Sequence, residues 1–380
     1  MPVARQQVSR SVSIILVFGE RLAQKGSSTI LVGLLPLLIR RVRPFMMVVG
    51  ELRGCTMNMK GWLKRIVFSA GILLATLAAV GLLVQAASSA LAPRRYPAPG
   101  ELVDVGGHRL HLYCLAQGSP TVIPETGLDY SSNVTVWGFV QPRLAEITCT
   151  CAYDRAGFGW SEDGPLPRDS RTIVRELKTL LSNARIAPPY VLVAHSLGGL
   201  HMRLYASTYP EDVAGMVLID ASYEEQVHRL PPEIIESGEE EMALYNLCRF
   251  VAPMGLVRLL DVFDNSALPG HLQPAAGVLT NQSRLCRSVL AEYAGTETLE
   301  EQLTGAESLG DLPLVVLSAG KKPDPDDLLA QEVYTVWQEL QKEHVARSSN
   351  SMQMIAAESG HYIQLEQPEL VVEAVRTLLL

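Results

Sequence analysis

The 380-residue chain has no internal repeat and no low-complexity tract, so repeat architectures and compositionally biased tracts are excluded for it. It also has no basic excess: the formal net charge is −8, and most of the surplus of Lys and Arg lies before residue 66. Nothing in that balance suggests nucleic acid binding. Metal-ligand spacing is lacking, because Cys149-Thr150-Cys151 has no second ligand cluster to complete a site. A dinucleotide fingerprint and a phosphate loop are lacking too, so no cofactor is expected. What is present after residue 92 is a stretch of about 280 residues, enough for a large sheet buried between helices.

The most telling stretch is residues 190–205, YVLVAHSLGGLHMRLY. An apolar strand runs into His195-Ser196-Leu197-Gly198-Gly199 and then at once into a helical pattern, which forces a sharp turn with one serine at its tip. Strand and helix pass close together at such a turn, so small residues are needed around the serine. Gly198 and Gly199 supply them on one side and Ala194 on the other, where a glycine is the commoner choice. A serine so placed is expected to be a nucleophile. The other reading of a serine after a strand is a turn former.

A nucleophilic serine needs a base, an orienting acid and two amides for the oxyanion. The base is expected at His361, in Ser359-Gly360-His361-Tyr362, after a strand-like run at 352–357. Behind it Pro368 opens an amphipathic helix with Leu370, Val371, Ala374, Val375 and Leu378 on one face. That strand-to-helix loop falls at the same edge of a parallel sheet as the serine turn. Of the seven other histidines, His195 is expected to point elsewhere in the tight turn, and His201 lies in the following helix. His108 and His111 belong to an early hairpin, and His228, His271 and His344 to polar or irregular stretches.

Taken together, these residues resemble the α/β-hydrolase superfamily from about residue 100 to the end. Residues 120–128, PTVIPETGL, look like the family's third strand and oxyanion loop, and residues 151–161, CAYDRAGFGWS, like its fourth strand and following loop. The resemblance implies a mostly parallel eight-stranded sheet with helices on both faces, and a helical cap at about 222–310, inserted after strand 6. It also implies an oxyanion hole from the amides of Leu197 and Leu128, although the family usually has His-Gly where this chain has Thr126-Gly127. For the acid, the family offers two places. Asp220 ends the buried strand-like run 215–220, and Asp324, with Asp326 and Asp327 nearby, follows the run 312–320. Asp220 is placed first and Asp324 second, because the loop 321–327 looks solvated and lacks the usual Gly-x-x-Asp spacing. Epoxide hydrolases and haloalkane dehalogenases of this superfamily carry aspartate where this chain has Ser196, and dienelactone hydrolases carry cysteine. The implied activity is therefore a serine hydrolase acting on an ester, thioester or amide, a carboxylester before the others. Cap residues such as Leu244, Leu247, Phe250, Leu256, Leu259 and Leu260 are expected either to form an apolar underside for a small hydrophobic acyl substrate or to pack the cap on the core.

The family's strand order also makes Cys114 and Cys151 neighbours, and Cys248 and Cys286 both fall in the cap. Each pair is a candidate disulfide in an oxidising compartment, with Cys149 left over. Asn133-Val134-Thr135 and Asn281-Gln282-Ser283 match the glycosylation pattern.

Residues 66–85, IVFSAGILLATLAAVGLLVQ, carry no charge over a length that spans a bilayer as a helix. Lys60, Lys64 and Arg65 before it favour an inside amino terminus, hence a single-pass anchor at 59–92 with the domain of residues 93–380 on the extracytoplasmic side. A cleaved signal peptide is the rival, since residues 86–92 are rich in small side chains. Residues 1–58 fit no part of the hydrolase pattern and are expected to have low order; residues 59–65 have the look of a natural start for an anchor. Two further functions stay open: acyl transfer on the same serine, and a non-catalytic binding protein that keeps the fold.

Overall fold

A computed structural model of the chain describes residues 59–128 and 132–379. The expected extension at 1–58 lies outside the described residues. Among these, one helix is long and apolar enough to cross a membrane: α1, Met59–Arg95. It runs past the expected end at 92.

The domain that follows α1 is built on eight strands in the order β1-β2-β4-β3-β5-β6-β7-β8. These are β1 (Glu101–Asp104), β2 (Arg109–Leu115), β3 (Thr121–Glu125), β4 (Thr150–Asp154), β5 (Tyr190–His195), β6 (Val213–Ile219), β7 (Leu314–Ala319) and β8 (Ser351–Ala356). β2 pairs antiparallel with both β1 and β4, and every other pairing is parallel. The central strands read as unbroken apolar runs because helices cover both faces of the sheet. β5 is buried at all six positions.

The covering helices follow from their sequence periods. Asp169 caps α2, Ser170–Asn183, by accepting from Thr172 N, and Ile173, Leu177, Leu180 and Leu181 form its buried stripe. After β5 comes α3, Gly198–Thr208. Between β6 and β7 lies the cap, whose main helices are α4 (Pro232–Val251), α5 (Leu256–Leu260), α6 (Gln273–Thr280) and α7 (Leu285–Gly295). Two long helices follow the cap: α8, Leu328–Val345, capped by Asp327, and α9, Pro368–Leu379, which buries Val371, Ala374 and Val375 as its pattern required.

Three sequence expectations change. The six apolar cap residues named above neither line an underside nor pack the core: all are exposed, and Met242, Tyr245, Val289 and Tyr293 do the packing. His344 is not in an irregular stretch but fully buried in α8, with Nε2 donating to Ser222 O at 3.1 Å. Burial, reinforced by the Arg203 charge, pushes it down to about 3. Both asparagines of the glycosylation pattern are buried with their amides engaged: Asn133 Nδ2 donates to Pro124 O and Tyr153 O, and Asn281 Nδ2 to Gly277 O. Cys114 is bonded to Cys151 and Cys248 to Cys286, while Cys149 is free and buried.

Candidate active site

The strand order positions the site. After β3 the chain goes to β4 on one side, and then returns to β5 on the other, so the carboxyl ends of β3 and β5 lie side by side where the order reverses. Such a switch point opens a crevice beyond the strand ends. Glu125 is the register partner of Ala194, which brings the Thr126-Gly127-Leu128 loop against the serine turn. The approach is close: a Cβ on Gly127 would lie 2.6 Å from Ser196 Cβ and 2.9 Å from its Oγ. Gly127 is thus required by space. Gly198 and Gly199 answer the same demand, since added methyls would meet Thr126 O and Ala221 Cβ, each at 2.6 Å.

Ser196 has φ +56° and Asp220 φ +43°, in the left-handed region that L side chains rarely adopt. Backbone strain of this kind costs on the order of 1–3 kcal/mol per residue and persists where surrounding structure holds it. Here Ser196 N donates to Ile219 O at 3.2 Å, and Ser196 O accepts from Gly199 N and Ser222 N. Asp220 N donates to Leu317 O, and Asp220 Oδ1 accepts from Ala319 N at 3.0 Å. His195 is paired with Ile219, so the serine and this aspartate each follow the last residue of adjacent strands.

His361 reaches back to the same point from the loop after β8. Its Nδ1 lies 2.7 Å from Asp220 Oδ2, with both side chains almost fully buried. With Nδ1 engaged by the Asp220 carboxylate, Nε2 is the ring's remaining polar atom. That Nε2 is buried and has no hydrogen-bond partner. Asp324 lies elsewhere, on the exposed loop, where Oδ1 accepts from Asp326 N at 3.0 Å in a turn leading to α8. The structure thus brings Asp220, not Asp324, to His361. Leu197 and Leu128 are both buried, Leu197 at the start of α3 and Leu128 just past Gly127.

Two further residues support this arrangement, one contrary to expectation and one that the sequence did not single out. His195 does not point away: its Nε2 donates to His361 O at 2.9 Å, and the two rings are 4.5 Å apart between centroids. Burial, with the neighbouring His361 ring, holds His195 well below the ordinary histidine range, so it remains a neutral prop.

The second is Arg155, directly after β4. Its guanidinium is buried and all five N–H donors have acceptors. Nε and Nη2 grip the Glu292 carboxylate of α7 at 2.9 and 2.8 Å. Nη2 also donates to Gly127 O at 2.8 Å, and Nη1 to Thr126 O at 2.9 Å and to Glu125. Tyr153 donates its hydroxyl to the other oxygen of Glu125. One side chain therefore ties the loop beside Ser196 to the cap. A charged Glu125 ending an apolar strand and an Asp154-Arg155 pair ending another were the available signals.

A sequence model of the alpha/beta hydrolase family matches residues 126–374, the stretch that holds every one of these side chains but Glu125. The chain belongs to the alpha/beta hydrolase family. An AB hydrolase superfamily protein of Gibberella zeae is 25% identical over 284 residues, 68% of this chain and 86% of that protein. An uncharacterized protein of Schizosaccharomyces pombe is 28% identical over 258 residues, 59% of this chain but only 46% of its own length. The chain thus spans less than half of that relative. Among solved structures, a thermophilic esterase from Thermogutta terrifontis superposes with a TM-score of 0.53 at 18% identity, covering 73% of this chain and 97% of its own. That likeness is one of fold.

Proposed function

We propose that this alpha/beta hydrolase is a serine hydrolase that cleaves an ester, thioester or amide through an acyl-enzyme on Ser196, and that α1 anchors it in a membrane with the domain on the outer side. The observation that carries the reading is the 2.7 Å contact between Asp220 and His361 Nδ1, which leaves a buried, unpartnered Nε2 at the sheet edge where Ser196 is held at φ +56°.

In this reading His361 Nε2 takes the Ser196 proton as Oγ adds to the acyl carbon. Asp220 keeps the imidazole in the tautomer with its proton on Nδ1 and stabilises the imidazolium. The Leu197 and Leu128 amides receive the developing oxyanion, each donor worth roughly 3 kcal/mol in other enzymes. Collapse expels the leaving group with the proton from His361, and water repeats the sequence to free the acid. Arg155 acts through the loop, fixing the Thr126 and Gly127 carbonyls so that the next amide is aimed before substrate arrives.

The test is covalent labelling of the full chain by a fluorophosphonate probe. Wild type should label, and Ser196→Ala and His361→Ala should not. A folded wild-type protein that does not label would overturn the reading in favour of a binding protein.

A further inference from the structure

The cap carries an apolar surface that nothing in the catalytic reading uses. Leu244, Leu247 and Phe250 stand exposed on the last two turns of α4, Met254 on the link, and Leu259 and Leu260, 77% and 70% exposed, on α5. Large side chains this free of contact, gathered on one continuous segment, are unusual on a soluble surface. The charge pattern is equally uneven. Glu233, Glu236, Glu239, Glu240 and Glu241 crowd the first half of α4, whereas from Met242 to Leu260 the only charges are Arg249 and Arg258. The helix is segregated along its length, acidic at one end and apolar with arginine at the other.

The long apolar helix meets the cap at this surface. Gly81 packs directly on the Met254 carbonyl, where an added Cβ would lie 2.2 Å from the oxygen. One turn on, buried Gln85 donates to Asn281 O at 2.7 Å and accepts from Arg258 Nε at 3.3 Å. Before that junction residues 62–77 are exposed on every side. The uncharged stretch 66–85, about 30 Å as a helix, therefore ends where the cap begins. Gly81 lies about 6 Å from its end by helical rise.

We infer that the exposed segment of the cap around 244–260 is seated in the acyl-chain and headgroup boundary of the same bilayer that α1 crosses. The inference rests on the anchor reading given above, for which the span's length and composition speak. If the span fills the hydrocarbon, its junction with Met254 falls at the membrane surface, and the leucines around it lie at the depth where apolar side chains gain most. Arg249 and Arg258, with no acid between residues 242 and 260, suit anionic lipid phosphates at that level, while the exposed Glu233, Glu236, Glu239 and Glu240 of α4 stay in water. The partner is thus a lipid surface.

Tryptophan quenching in the full chain tests this. The protein is reconstituted in phosphatidylcholine–phosphatidylglycerol vesicles with or without bromine on the acyl chains, and the added emission of Leu259→Trp and of Ile72→Trp is read against unsubstituted protein. Both positions are exposed, so both variants should fold. The expected result is that bromolipid removes more than half of the added emission from both. Quenching of Ile72→Trp without Leu259→Trp overturns the inference and leaves the anchor standing, and shielding of Leu259→Trp from acrylamide in that case would point to a second copy of the chain. Quenching of neither overturns the anchor and the inference together.

Discussion

Replacing Arg155 by lysine probes the link between the loop beside Ser196 and the cap. The five donors of Arg155 serve two carboxylates and two main-chain carbonyls that come from β3, its following loop and α7. A lysine ammonium has three donors on a point and cannot span them, so at least two acceptors lose their partner. Each buried acceptor left unsatisfied costs about 1–3 kcal/mol, so two give a loss of roughly 2–6 kcal/mol against a total stability of about 5–15 kcal/mol. The variant should therefore fold, with a lower urea midpoint. If the freed acceptors include Thr126 or Gly127 O, the Leu128 amide is no longer aimed, and loss of one oxyanion donor lowers kcat by about 10²–10³. Glu292→Gln provides the contrast. It weakens the pair with the cap by removing one charge, at about 3–5 kcal/mol when a buried ion loses its partner, but leaves the Nη contacts to both carbonyls and to Glu125. Its stability should fall while kcat changes little. The assays are urea unfolding by circular dichroism, and hydrolysis of p-nitrophenyl butyrate at a temperature where both variants are folded. A folded Arg155→Lys enzyme with wild-type kcat would refute the positioning role. So would a kcat loss as large in Glu292→Gln as in Arg155→Lys.

Asp220→Asn should lower kcat by about 10⁴ with the fold intact, because the imidazole loses its tautomer, whereas Asp324→Asn on the exposed loop should leave the rate unchanged; steady-state kinetics on the two variants decide it. Gly127→Ala should abolish probe labelling without preventing folding, since the new methyl would fall 2.6 Å from Ser196 Cβ; retained labelling would refute the close approach. Stability should fall as the solution is acidified below about pH 6.5, where an unfolded histidine takes up a proton. The folded-state pKa of His344 is depressed to about 3, so its contribution is fully present above 6.5 and is lost as pH falls toward 3. By pH 5 this one group should account for about 2 kcal/mol, and urea midpoints of His344→Gln should show a correspondingly shallower slope between pH 6.5 and 5.

Much of the proposed site was legible before folding was considered, because the serine turn combines a β-rich run, small residues and a helical period within sixteen residues. His361 was legible from its place between a strand and a proline-started helix. Its partner was legible only as a ranking: Asp220 and Asp324 both follow apolar runs, the solvated look of the loop 321–327 put Asp220 first, and what holds the Asp220 carboxylate, the Ala319 amide and the His361 ring, comes from other strands. His195 was misjudged for a related reason, since the direction of a side chain in a tight turn depends on what the loop after β8 brings down upon it. Arg155 drew no reading of its own within the run 151–161, because the groups that saturate it lie 28 to 137 residues away. The cap leucines were judged by composition, which favours burial for such residues on average but does not say what covers them.

Short-range chemistry in the chain set where strands, helices and the sharp serine turn would form, and that an uncharged segment long enough for a bilayer precedes the sheet, because these depend on steric limits and apolar period within a few residues. Which carboxylate meets His361, how Arg155 fills its five donors and which face of the cap stays bare depended on strand order and register. The contacts involved join groups 28 to 141 residues apart, and no local window carries them.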